Sequence, residues 1–206
     1  MSGSLTKADG KYKEMHLLST RSVSIYRAEG MLFQWDSGND VEMLHETYLP
    51  KIFNSDGPDP GEKQEDAFDK RSDDKGAEVE TLAVCEIDGR TLLFVGCERT
   101  STVITYDVTT PWSPVFQSII AVGGQDTVPE SLKDGQSTPV PSIGVVDPEG
   151  MYCDAENKRL IVAGSVSGVV AIYDITGNTS GAATTSYSVL SMLAAAVLSL
   201  YAAMRQ

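Results

Sequence analysis

From Thr81 the chain reads "TLAVCEI", then Asp88-Gly89, then Arg90 and "TLLFVGC". Two strand-like runs joined at an Asp-Gly pair predict a β-hairpin closed by a tight primed turn. The second run is apolar at every position from Leu92 to Cys97. That is the pattern of a strand held between two neighbouring sheets, with no face left for water. After the polar "ERTST" comes "VITYDVT", rich in β-branched and aromatic residues, and "TPWSP", where Pro111 and Pro114 end the strand. Little helical periodicity appears before the C-terminal tail.

The unit returns. "EGMYCDAENKRLIVAGSVSGVVAIYDIT" overlays "ETLAVCEIDGRTLLFVGCERTSTVITYDVT", matching Glu149 to Glu80, Cys153 roughly to Cys85, Gly164 to Gly96 and "IYDIT" to "TYDVT". A fainter third copy is "SVSIYRAEGMLFQWDSG". Tyr26, Tyr106 and Tyr173 then hold one place in successive units, spaced more widely than the roughly 40–50 residues of a propeller blade. Two polar Gly/Pro-rich insertions, residues 53–76 and 122–144, supply the excess as long loops.

These elements predict an all-β chain: a partial β-propeller of two to three antiparallel blades with long loops over residues 1–176. A stack of unrelated hairpins is the simpler alternative. Residues 177–188 form a linker of small and polar residues. Residues 189–206 form an apolar tail, expected to be helical, in which Val189 to Met204 carries no charge. Four blades are the fewest that close a propeller, so the reading is of a fragment.

Charge narrows the function. Sixteen Lys and Arg against 29 Asp and Glu leave a formal net charge of −13 and a pI near 4.5. Binding nucleic acid by neutralising phosphates is therefore not expected, and divalent cations are the natural partners. Cys85, Cys97 and Cys153, with His16 and His45, have no zinc spacing. "LTKADGKYKE" lacks the oxygen ligands that an EF-hand loop needs before its glycine. No GxSxG elbow, P-loop or GxGxxG is present, and both histidines read as structural. The N-terminal residues have no apolar core of the signal-peptide type.

The ordered set "RSVSIYRAEGMLFQWDSG", "LPKIFNSDG", "FDKRSDDKGAEVE", "IDGRTLLFVGCER", "ITYDVT", "DPEGM" and "VSGVVAIYDI" resembles the C-terminal half of the choice-of-anchor I family, from about Asp9 to Ile175. That family includes mesenchyme-specific cell-surface glycoproteins linked with biomineralisation. The resemblance implies a secreted β-propeller held at the cell surface by varying anchors. Where the family continues "RSDDKG" with a Pro-Glu-Pro-Glu-Gly run, this chain reads "AEVET". It keeps both glutamates, Glu78 and Glu80, and loses the prolines and the glycine, which predicts a less rigid loop.

"RSDDKGAEVE" crowds charge at the mouth of a strand. Overlaid, Glu80 and Glu149 each precede the first strand of a unit, at the edge that faces the axis of a propeller. Converging carboxylates suit a hard cation such as Ca2+. The candidate metal set is Asp73, Asp74, Glu78, Glu80 and Glu149, with Arg71 and Lys75 moderating their repulsion or contacting phosphate. A salt-bridged structural loop is the competing reading. Three functions follow: an acidic surface glycoprotein binding calcium, mineral or matrix components; a metal-dependent extracellular hydrolase using Arg71, Lys75, Glu80 and Glu149; and a protein-interaction module. The first, non-enzymatic one fits the charge and the absence of a prepared nucleophile.

Two expectations concern covalent chemistry. Across the predicted hairpin Cys85 faces Leu92, and sheets stacked about 10 Å apart keep Cys85 from Cys153, so all thiols are expected free. The tail predicts a removable lipid-anchor signal that tethers the protein to the outer face of the plasma membrane. Its sixteen apolar residues, Val189 to Met204, fall short of the roughly 20 that span a bilayer. Asn178, Ser180 and Gly181 are the attachment candidates, and Asn178 also opens the glycosylation sequon "NTS".

Overall fold

A computed structural model describes residues 21–130 and 140–176, together with the short strands Lys7–Ala8 (β1), Lys11–Tyr12 (β2) and Tyr187–Leu190 (β12). Strands β3 (Ser24–Arg27) and β4 (Leu32–Asp36) form a hairpin. Strands β5 (Val79–Ile87), β6 (Arg90–Cys97), β7 (Thr102–Asp107) and β8 (Val115–Ala121) form an antiparallel sheet in sequence order. Strands β9 (Pro148–Asp154), β10 (Arg159–Gly164) and β11 (Val170–Asp174), with β12, form a second sheet of the same order. β1 pairs with β2.

The β5–β6 turn is the predicted one. Ile87 pairs with Arg90, leaving Asp88 and Gly89 as the loop, both at positive φ (52° and 74°). A type I′ turn requires that at both positions, and Asp-Gly adopts it with little strain. The turn sets the register, and Cys85 faces Leu92 as expected.

Strand β6 is buried on both sides. Leu92 and Phe94 meet Leu160, Val162 and Ala171 of the second sheet. Leu93, Val95 and Cys97 meet Val23, Val41 and Trp35 of the β3–β4 hairpin and the one α-helix among the described residues, α1 (Asp40–Tyr48). The first sheet is thus the middle layer, which accounts for its continuous apolar run.

Three details differ from expectation. Helix α1 was not legible because it buries only Val41 and His45, one turn apart, and a two-residue stripe leaves almost no periodic signal. Trp112, which as an aromatic flanking a turn reads from the sequence as core or blade-edge packing, is 67% exposed. The two sheets also correspond one residue away from the sequence overlay at β10. Gly164 pairs with Pro148 as Cys97 pairs with Val79, so Gly96 corresponds to Ala163.

The thiol expectation is overturned. Cys85 and Cys153 form a disulfide, with their Cα atoms 6.0 Å apart. The sheets approach most closely at their first strands, β5 and β9, so the spacing of evenly stacked sheets does not apply there. Only Cys97 stays free, and it is buried.

Asn178, Ser180, Gly181 and residues 191–206 lie outside the described residues. Val189 and Leu190, expected to begin a helical tail, are instead strand residues paired with Ala171 and Val170. Among the described residues no helix is long and apolar enough to cross a membrane.

Candidate functional site

At the start of each sheet the backbone makes the same excursion. Glu78 and Asp147 adopt positive φ (58° and 53°), and the next residue but one, Glu80 or Glu149, is the extra residue of a β-bulge. The Glu78 carbonyl accepts from Glu98 N (2.8 Å), and the Asp147 carbonyl accepts from Ser165 N (3.0 Å) at the equivalent place. A bulge re-aims side chains at the end of a strand. Here it leaves Glu80 and Glu149 exposed and Glu78 and Asp147 buried.

The buried pair is met by cations. Glu78 accepts from Arg71 Nη2 (3.0 Å), Arg99 Nε (3.0 Å) and Lys75 Nζ. The same Arg99 extends Nη1 to Asp147 Oδ2 (3.2 Å) and Nη2 to Glu98 Oε1 (3.2 Å). Asp74 pairs with Arg71 at 3.3 Å, Asp56 lies 3.8 Å from both arginines, and Asp73 points to solvent. The loop carrying Arg71 to Lys75 is clamped as well. Arg21 Nη2 donates to the carbonyls of Ser72 (2.6 Å) and Asp74 (2.9 Å), and Asn54 Nδ2 donates to Ser72 Oγ (3.0 Å).

Carboxylates nevertheless outnumber cations. Oxygens of Glu78, Glu80 and Glu98 lie within 4.8 Å of one another, a grouping that a metal ion can use. Burial pushes the Asp147 carboxyl up to about 6; Arg99 opposes this, while Asp56, Glu149 and Glu80 add to it. The two exposed bulge glutamates are therefore both close enough to act on one buried acid. Asp147 Oδ1 has no hydrogen-bond partner and rests against Gly57, where an added Cβ would stand 2.9 Å from it.

Of the residues singled out in the sequence, Arg71, Asp74, Lys75 and Glu78 come together as one ion-paired group. Glu80 and Glu149 flank it, and Asp73 makes no part of it. Glu98 and Arg99, adjacent just after β6, read from the sequence as a strand-end ion pair and do pair (3.2 Å), but their place in this site was missed, as was Asp147. Asp147 was recoverable, because it precedes Glu149 as Glu78 precedes Glu80. Nothing in the sequence marks Arg99 as the group that joins the two sheets.

Among the described residues, His45 and Cys97 are sealed in. His45 is fully buried. Its Nδ1 donates to the Val41 carbonyl (2.7 Å), and its Nε2 meets the hydroxyls of Thr100 (3.0 Å) and Thr102 (2.9 Å). Burial lowers its pKa and keeps the ring neutral, a structural histidine. Burial pushes the Cys97 thiol up to about 12, which leaves it without thiolate character.

The sequence model of the choice-of-anchor I domain matches residues 1–111, over half of the chain. The chain belongs to the choice-of-anchor I family. Among curated proteins, Gigasin-3a of Magallana gigas is 30% identical over 184 residues, covering 82% of this chain and 60% of the relative. The mesenchyme-specific cell surface glycoprotein of Strongylocentrotus purpuratus is 31% identical over 135 residues, covering 62% of this chain and 17% of that protein. The chain therefore spans less than two thirds of either relative. No solved structure matches.

Proposed function

We propose that this choice-of-anchor I chain is part of an acidic extracellular protein, displayed at the cell surface, that binds calcium weakly and meets mineral or matrix components through its carboxylate rim. The observation that carries the reading is the pair of exposed glutamates, Glu80 and Glu149, at equivalent bulges over Glu78, Glu98 and Asp147, with too few cations nearby to neutralise them. Oxygen-only donors suit a hard cation. Arg71, Lys75 and Arg99 hold the underlying acids, so binding falls to the rim: Glu80 and Glu149, with Asp73 and Asp74 on the neighbouring loop. The net charge of −13, the cell-surface relative and a disulfide between the sheets all agree with an extracellular setting.

The fold that best accommodates these features is a β-propeller, of which the described residues supply two four-stranded blades and the outer hairpin of a third. Its support is the sequential strand order of both sheets and their convergence at β5 and β9. Calorimetric titration with CaCl2 tests the function. Weak, salt-sensitive uptake should fall at least several-fold in a variant carrying both Glu80→Gln and Glu149→Gln, and an unchanged isotherm would refute the rim. Metal-dependent turnover of a chromogenic phosphate ester, lost in Glu80→Gln, would mark a hydrolase instead. Tethering through a lipid anchor at Asn178, Ser180 or Gly181 predicts release of surface protein by a phosphatidylinositol-specific phospholipase. Surface protein that resists the lipase and retains the "YAAMRQ" terminus would exclude that anchor.

A further inference from the structure

Where the end of β8 meets the segment that follows α1, the chain leaves a cavity of about 580 Å³. Its size falls within the roughly 300–1,000 Å³ of small-molecule sites. It lies at the edge of the first sheet, the middle layer, apart from the outer faces of the stack.

Hydrogen bonds fix both walls. On one side Pro50 opens a 3-10 turn (Pro50–Ile52), a place that suits its fixed φ. Leu49 N donates to the His45 carbonyl (2.9 Å) and Ile52 N to the Leu49 carbonyl (3.0 Å). On the other side Gln64 N donates to the Gly124 carbonyl (2.7 Å), which ties this wall to the chain leaving β8. The Gln64 side-chain amide donates to Ser55 Oγ (2.7 Å) and the Asp56 carbonyl (2.6 Å). Tyr48 stacks on Phe116 with ring centroids 5.4 Å apart, so its ring is held as well.

The lining is mostly apolar, through Leu49, Pro50, Ile52 and Ala121. Its charged members are Lys51, Lys63 and Glu65. Lys51 pairs with Glu65 at 3.2 Å, and both side chains are exposed, so the pair holds weakly and opens readily. Lys63 meets no carboxylate among the described residues. Lys70, Lys75 and Lys158 each have an acid partner. A chain of net charge −13 thus leaves one cation uncompensated, and does so at an apolar cavity.

We infer that this cavity binds a small amphiphile with one carboxylate and an apolar body, of the fatty-acid class. The carboxylate meets the Lys63 ammonium, with Lys51 free to turn toward it, and the body lies along Leu49, Pro50, Ile52 and Ala121. One uncompensated cation calls for a single negative charge, and the apolar walls call for a body that gains by leaving water. The overall charge of the protein repels anions, so uptake of one reports this local site.

Calorimetric titration of the full 206-residue chain with decanoate tests this, in a chelator that keeps calcium from precipitating the acid. The parent protein should take up decanoate at a single saturable site. Affinity should rise about fourfold per methylene from hexanoate to decanoate, as burial of each added group requires. Lys63→Gln should bind decanoate about tenfold more weakly, in keeping with the loss of a charged hydrogen-bond partner. Lys63→Glu should not bind it, and circular dichroism checks that both variants fold. Lys158→Gln, which removes an equal charge elsewhere, should match the parent. Glu80→Gln with Glu149→Gln should match it too, which separates this cavity from the calcium rim. No saturable uptake by the parent, a series indifferent to chain length, or a Lys63→Gln variant that binds like the parent would overturn the inference.

Discussion

Glu78 and Asp147 occupy one position in two successive sheets, and a single side chain, Arg99, binds both at 3.0 and 3.2 Å. Glu78 also has Arg71 and Lys75, whereas Arg99 is the cation that meets Asp147. Replacing Arg99 with Met should therefore destabilise the protein by about 3–5 kcal/mol, the usual consequence of stranding a buried charge. The loss should be larger at pH 8 than at pH 5, since Asp147 is protonated at the lower pH. Urea denaturation at both pH values checks this, and an equal loss at both would disprove the coupling.

Asp147 itself works against the fold at neutral pH. Its folded pKa of about 6 lies above the ordinary 3.8, so its contribution is most favourable below pH 3.8 and is lost as pH rises through about 6. Asp147→Asn keeps an acceptor for Arg99 and suits the positive φ. The variant should gain on the parent protein by up to about 3 kcal/mol between pH 4 and pH 7. A stability difference independent of pH would contradict this.

The Cys85–Cys153 bond closes a loop across a sequence separation of 68 residues. Loop-closure entropy assigns about 4 kcal/mol to a cross-link of that span. Cys85→Ser with Cys153→Ser should lose an amount of that order in chemical denaturation. The parent protein in reductant should match it. Mass spectrometry of unreduced peptides should show the 85–153 pair and a free Cys97.

His45 is neutral in the fold because burial lowers its pKa. A lowered histidine contributes stability that is fully present above its unfolded pKa of about 6.5 and is lost as pH falls below it. Asp147 slopes the other way over part of that range, so the measurement belongs in the Asp147→Asn background. There, stability should fall from pH 7.5 to pH 5.5. Adding His45→Gln should lower stability overall and remove the slope. A slope that persists would assign it to another group.

The alternation of residues, the Asp-Gly turn and the doubly apolar run determined the hairpin, its register opposite Leu92 and its sandwiched position, because turn chemistry and strand period act over a few neighbours. The repeated unit likewise pointed to Glu80 and Glu149 as equivalent. What only the tertiary structure decided is how the two sheets meet. Convergence at β5 and β9 brings Cys85 to Cys153 and lets Arg99 reach from Glu78 to Asp147, distances set by the angle between sheets and by bulges that no local pattern encodes. Helix α1 was hidden for a related reason: its two buried residues take their meaning from the sheet they rest on.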